Sequence, residues 1–251
     1  MEIVLLTALG VGGATVFGSL LGFVFKRPSR RFIDIVLSFA AGVMLCAAIV
    51  GLIVPSITDK KGSILITIAG ILTGAVCLNL IDKLVPHLHK MTGVDIEKHP
   101  HKTEDLNKVL LFVIAIAIHN LPEGIAAGVS FGSENTAHAL TIAGGIALQN
   151  IPEGMVIIAP MIASGISKKR TLLIAMATGI VEVVGTLIGY FAVSISQAIL
   201  PFALAFAGGT MIYVVSDEMI PETHSHGNER FATYSLIAGF ILMLGFDHLL
   251  G

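Results

Sequence analysis

Apolar runs of about 20 residues or more, the length a helix needs to cross a bilayer, recur eight times along the chain. They lie near 2–25, 33–57, 62–86, 107–131, 136–166, 170–195, 199–221 and 231–250, separated by short polar stretches. Inside a bilayer a segment of this length satisfies its own backbone hydrogen bonds only as a helix. The pattern predicts an all-α polytopic membrane protein of eight transmembrane helices, one membrane domain over 1–251. Three spans carry GxxxG pairs, Gly18/Gly22, Gly70/Gly74 and Gly185/Gly189, which suit close helix packing without pointing to a function.

Composition agrees with that reading. Hydrophobic residues make up 55% of the chain and charged ones only 13%, too little polar surface to cover a soluble core. The first apolar run lacks the basic start and small-residue cleavage site of a signal peptide, and it is expected to be the first membrane helix. Cys46 and Cys77 fall within apolar runs and are expected to be buried thiols. No basic patch invites nucleic acid. Of the 15 Lys and Arg, all but Lys60 and Lys61 lie in or beside the first, third, fifth and seventh connections. Positive charge stays on the cytoplasmic side, so both termini are expected to be extracytoplasmic, in the plasma membrane (the inner membrane of a bacterium).

Two short motifs interrupt the apolar runs. The fourth span contains HNLPEG, residues 119–124, and the fifth contains QNIPEG, residues 149–154. Neighbouring spans cross in opposite directions, so the two copies are antiparallel, and each lies about halfway along its span. Residues three and four apart share a helix face, which stacks His119 on Glu123 with Asn120 beside them. Pro122 and Pro152 have no amide hydrogen, so the carbonyls of Ile118 and Leu148 lose their helical partners. Gly124 and Gly154 admit close approach of a neighbouring backbone. An inverted pair of interrupted helices presenting polar groups at the midplane is a common construction of transporter sites.

A carboxylate placed there needs a reason. Insertion of an acidic side chain at mid-bilayer costs on the order of 2.5–3.5 kcal/mol, and two glutamates in one small site also repel each other. A divalent cation between them removes both penalties. Imidazole, carboxylate and amide donors together suit zinc and its first-row neighbours better than Ca²⁺ or Mg²⁺. Glu182, mid-span in the sixth run, adds a third carboxylate. Met44, mid-span in the second, offers a soft thioether but is more ordinarily core filler.

The paired NxPEG motifs on consecutive spans resemble the ZIP family of metal-ion transporters, and the short chain is similar to its bacterial GufA-type branch. The likeness covers nearly the whole chain. It implies helices 1–3 and 6–8 as inverted repeats around the helix 4–5 pair, a 3+2+3 architecture with proline-kinked central helices. It implies a site that is binuclear in some members. By position, His119, Glu123, Gln149, Glu153 and Met44 would hold one metal, and Asn120, Glu123, Asn150, Glu153 and Glu182 a second, the motif glutamates bridging. Many members have His where Gln149 stands, and some have Asp where Asn150 stands. The implied activity is movement of a divalent ion, Zn²⁺ foremost with Cd²⁺, Fe²⁺ and Mn²⁺ as candidates, into the cytoplasm. The implied partners are the bilayer and the ion, with a homodimer compatible; no further cofactor is expected.

Weaker features remain. The third connection, 87–106, carries His87, His89, His99 and His101, either a metal-receiving loop or a solvated one that is rich in histidine. Asp217, Glu218, Glu222, His224 and His226 at the end of the seventh span are candidates for an exit path. Asp34, Asn79 and Asp82 lie toward the same side, as path or packing residues. His138, Asp247 and His248 are expected at the outer surface. An intramembrane metalloenzyme would want HExxH or a comparable helix, and none occurs. The alternative to transport is a membrane metal-binding sensor or structural module that binds the ion without moving it.

Overall fold

The structure, a computed structural model, describes residues 1–25, 28–84, 102–133 and 135–250. Its helices are α1 (Glu2–Val24), α2 (Arg30–Thr58), α3 (Ile64–Leu84), α4 (Lys102–Ser130), α5 (Thr136–Ala163), α6 (Lys168–Ile195), α7 (Gln197–Thr223) and α8 (Glu229–Leu250). Among the described residues, seven helices are long and apolar enough to cross a membrane, and α4 completes the eight-helix fold. Their starts follow local chemistry. Ser29, Asn135 and Ser167 each accept a hydrogen bond from the backbone amide three residues on, capping α2, α5 and α6. After α5 and α7 the chain turns at Gly165 and Gly227, whose φ of 81° and 79° lie in the left-handed region.

Two helices change pitch. α2 widens to a π-helix over Ala47–Ile53 and α7 over Val215–Met219. Each widened stretch is followed by a proline, Pro55 and Pro221, which supplies no amide hydrogen and crowds the preceding turn. Pro122 and Pro152 lie inside α4 and α5, which remain helical through them.

The helices pack as two groups. In one, α1 lies against α5 and α6, and α4 lies against α6; in the other, α2 pairs with α8 and α3 with α7. Between the groups, α2 meets α5 and α4 meets α7. Exchanging α1 with α6, α2 with α7, α3 with α8 and α4 with α5 reproduces every one of these pairings, the signature of an inverted repeat. The glycine contacts obey the same exchange. Gly18 faces the Ile151 carbonyl and Gly185 faces that of Leu121; Gly154 faces the Thr15 carbonyl and Gly124 faces that of Glu182. Gly42 and Gly239 do for α2 and α8 what Gly209 and Gly74 do for α7 and α3. The apolar core lies mainly among α2, α4, α5 and α7. Leu6, Leu65, Ile195 and Leu249 are exposed, on helices whose outer faces suit lipid acyl chains.

Candidate metal site

The site sits where α1, α4, α5 and α6 meet, because the two NxPEG stretches and Glu182 fall halfway along their helices. Glu182 is fully buried. Its carboxylate accepts hydrogen bonds from the Thr15 hydroxyl (2.6 Å), from the Asn150 amide (2.7 Å) and from the Asn120 amide. Asn120 also donates to the Thr178 carbonyl and Asn150 to the Val11 carbonyl, both at 3.3 Å. Both asparagine NH₂ groups are thus committed, which leaves their carbonyl oxygens facing elsewhere.

Those oxygens have company. Asn120 Oδ1, Asn150 Oδ1, both carboxylate oxygens of Glu123 and Glu153 Oε1 are buried without a hydrogen-bond donor among the described residues. Glu123 lies within electrostatic reach of Glu153 and Glu182, and the Gln149 amide is its neighbour. No bond of ordinary geometry joins Gln149 to it. Buried acceptors are normally satisfied, and an acceptor-rich, donor-poor cluster of this kind is the chemistry of a cation site. Among the described residues, no three His, Cys, Asp or Glu side chains are drawn tightly enough to hold an ion by themselves.

The structure turns His119 toward the seventh helix. Its Nε2 lies 2.7 Å from Glu218 Oε1, and its ring is also within electrostatic reach of Glu153. One residue named for the site and one named for the exit are therefore in direct contact. Met44 is buried in the apolar core that also holds Ala126, Ala127, Ile142 and Ile146.

The other predicted path residues divide. His226 pairs with the buried Asp34 (3.0 Å) and stands 3.9 Å from Glu222; Asn228 donates to the second Asp34 oxygen at 2.8 Å. Asp34 thus holds the turn after α7 onto the start of α2. His224 packs locally, against the Ile220 carbonyl and the Thr233 hydroxyl. Asp217 is exposed. Asn79 donates to Tyr213 at 2.8 Å, a packing contact between α3 and α7. His87, His89, His99 and His101 lie outside the described residues.

Two groups escaped the sequence reading. Thr15 carried no signal, since a threonine in an apolar helix is unremarkable until its partner is known. His138, expected at the surface, is half-buried. It lies 3.1 Å from the Gly51 carbonyl and 3.5 Å from Asp247. The available signal was Pro55, whose missing amide hydrogen frees that carbonyl.

A helical bundle built as an inverted repeat, with lipid-facing apolar surfaces and a buried cluster of carboxylate and amide oxygens, belongs to the class of integral membrane proteins that handle cations. Comparison with known proteins specifies the family. Residues 95–247 match the family model described as ZIP zinc transporter. The chain is 40% identical over 254 residues to the zinc transporter GufA of Myxococcus xanthus, covering 98% of each protein. It is 38% identical to the zinc transporter ZIPB of Bordetella bronchiseptica, covering 95% of this chain and 78% of that one. To the zinc transporter ZupT of Streptococcus mutans it is 31% identical, over 95% and 94% of the two chains. The chain belongs to the ZIP family of transporters.

Proposed function

We propose that this protein carries Zn²⁺ across the plasma membrane into the cytoplasm through a site at mid-membrane. The supporting observation is the cluster of buried, donorless oxygens on Asn120, Glu123, Asn150 and Glu153. The two motif glutamates and the asparagine oxygens hold one ion, and a second position lies toward His119, Gln149 and Met44 with the glutamates shared. The excess of Lys and Arg in the odd connections orients the chain with both termini outside. On leaving, the ion passes from His119 to Glu218 and then along Glu222 and His226 at the end of α7. Every oxygen in the cluster belongs to the group formed by α1, α4, α5 and α6, which fits alternating access by movement of that group against α2, α3, α7 and α8.

The test is zinc entry into sealed proteoliposomes holding the wild type, Glu123→Ala or Glu153→Ala. The expected result is uptake by the wild type that is lost in both folded variants. Zinc bound but never delivered favours a sensor. Uptake that survives both substitutions removes the midplane site.

A further inference from the structure

The charge pattern puts the turn after α4, the starts of α5 and α7 and the ends of α2 and α8 at the outer face. There the pair of motif helices is tied to the other group at two places. We infer that His138 and Gln197 form an outer clasp, which holds the tip of the α4–α5 pair against α2, α8 and α7 and opens before an ion enters from outside. This rests on the orientation and the group movement proposed above.

On one side of the tip, His138 Nε2 lies 3.1 Å from the Gly51 carbonyl. A carbonyl only accepts, so that nitrogen carries the hydrogen. Nδ1 of the same ring stands 3.5 Å from Asp247 Oδ1, so one side chain of α5 reaches both α2 and α8. The acceptor is prepared by α2 itself. Pro55, four residues on, offers it no amide hydrogen. Gly51 also has no side chain to hold α5 off, since a Cβ there would stand 3.0 Å from Ile142 Cγ1. On the other side, the Gln197 amide at the start of α7 donates to the Gly132 carbonyl at 3.2 Å. Gly132 is seated in the same manner, with Leu200 Cδ1 2.7 Å and Val193 Cγ2 2.9 Å from where its Cβ would lie.

The clasp lies well away from the ion. His138 precedes Asn150 by 12 residues, about 18 Å of helix, whereas His119, which bonds Glu218 on α7, adjoins Asn120. The motifs match Asn120 with Asn150 and therefore His119 with Gln149, so His138 sits about three turns beyond the mate of His119. The two borders are thus unequal. One contact touches the site, and the other closes the outer end over helix whose Ile142 and Ile146 are fully buried. Unequal contacts on equivalent helices are what a single state of a two-state carrier shows, and the clasp is the part that keeps this state shut on the outside.

Opening is read from thiols beneath the clasp, in chelator, so that metal ligation at any residue plays no part. Cys46 is buried on α2 within electrostatic reach of Asp247, and Cys77→Ser removes the half-buried thiol of α3. A membrane-impermeant maleimide applied to spheroplasts is expected to label Cys46 about fivefold faster in His138→Ala than in the wild type, the scale of one neutral hydrogen bond. Adding Gln197→Ala should raise the rate again. His138→Gln, whose amide donates in place of the ring N–H, should return it to the wild-type value, a rescue that simple destabilisation does not give. Ile142→Cys in a Cys46→Ala background is the second reporter, at the seam against Gly51 itself, and melting of each protein is the fold check. Labelling of His138→Ala at the wild-type rate with both reporters overturns the clasp, as does a His138→Gln protein that labels like His138→Ala. Faster labelling seen only in inverted vesicles overturns the orientation instead, which keeps that failure distinct from failure of the clasp.

Discussion

Gly185→Ala puts the packing account of the site to a quantitative test. Gly185 lies on α6, one turn beyond Glu182, and faces α4 at the motif itself. A Cβ built there would stand 2.6 Å from the Leu121 carbonyl oxygen, 3.1 Å from the Ile125 amide nitrogen and 3.2 Å from the Gly124 Cα. All three are backbone atoms, so no side-chain rotation relieves the clash. A carbon and a carbonyl oxygen settle at about 3.3 Å or more, so α4 and α6 must part by about 0.7 Å. Overpacking of this kind costs roughly 1–3 kcal/mol of stability. A functional cost accompanies it, because α6 carries Glu182 and α4 carries Asn120 and Glu123, and site geometries tolerate displacements of only about 0.5 Å. Zinc uptake into proteoliposomes should fall by about tenfold, roughly 1.4 kcal/mol of binding, in protein that melts earlier but still folds. Gly13→Ala is the control. It sits on α1 of the same group, with nothing within 4 Å of the added Cβ, and the better helix propensity of Ala should stabilise it by up to about 1 kcal/mol. A Gly185→Ala protein with the melting curve and uptake of the wild type would refute the reasoning.

Other outcomes follow from the same geometry. Protons compete with a metal for carboxylate and imidazole ligands, so zinc affinity should weaken from neutral to mildly acid pH; a flat profile in a zinc titration would count against carboxylate ligation. Gln149→His replaces a neutral amide beside Glu123 with an imidazole, and competition titration should find zinc bound more tightly. Glu218→Gln removes the acid that His119 bonds at 2.7 Å; zinc binding at equilibrium should survive while the rate of release into the vesicle slows, which stopped-flow flux would resolve. Ser56→Ala removes a buried hydroxyl that bonds Thr67 at 2.8 Å and the Pro201 carbonyl at 2.7 Å. Thermal unfolding should report a loss of about 1 kcal/mol with uptake unchanged.

The eight helices were legible because the bilayer imposes one length and one composition on every span, and because polar residues at the connections end each run sharply. The paired motifs were legible for the opposite reason: proline and glutamate in mid-span violate that composition, and violations mark function. What stayed hidden depends on which helices touch. Thr15 and Glu182 are far apart in the chain and meet only because α1 packs on α6. The π-helical stretch Ala47–Ile53 is ordinary apolar sequence, and only the proline after it hints at the change of pitch. His138 looked like a surface residue near a helix start. Its burial follows from the contact of α5 with α2, where the carbonyl freed by Pro55 lies within reach of its ring. Met44 illustrates the limit from the other side, since the same buried thioether serves an apolar core and a soft metal site equally well.

The distribution of polar contacts bears on how the ion would cross. Within the group of α1, α4, α5 and α6, side-chain bonds are dense around the site: Thr15, Asn120 and Asn150 to Glu182, and Ser19 to Gly154. Across the boundary to the other group, the side-chain hydrogen bonds and ion pairs among the described residues include His119 with Glu218, His138 with Gly51 and Asp247, and Gln197 with Gly132. Backbone packing through glycine follows the same division, since Gly12, Gly18, Gly124, Gly154, Gly179 and Gly185 all seat one member of the first group against another. A unit that keeps Asn120, Glu123, Asn150, Glu153 and its closest backbone contacts internal can shift as a body without separating those side chains. The few bonds at its border include two histidine pairs, at positions well separated along the helices, each joining the site-bearing group to a helix that contains a π segment or to its partner. If the ion binds as proposed, such a body movement carries it as a carrier does, and cysteines placed beside Glu123 should be open to labelling from one side of the membrane at a time.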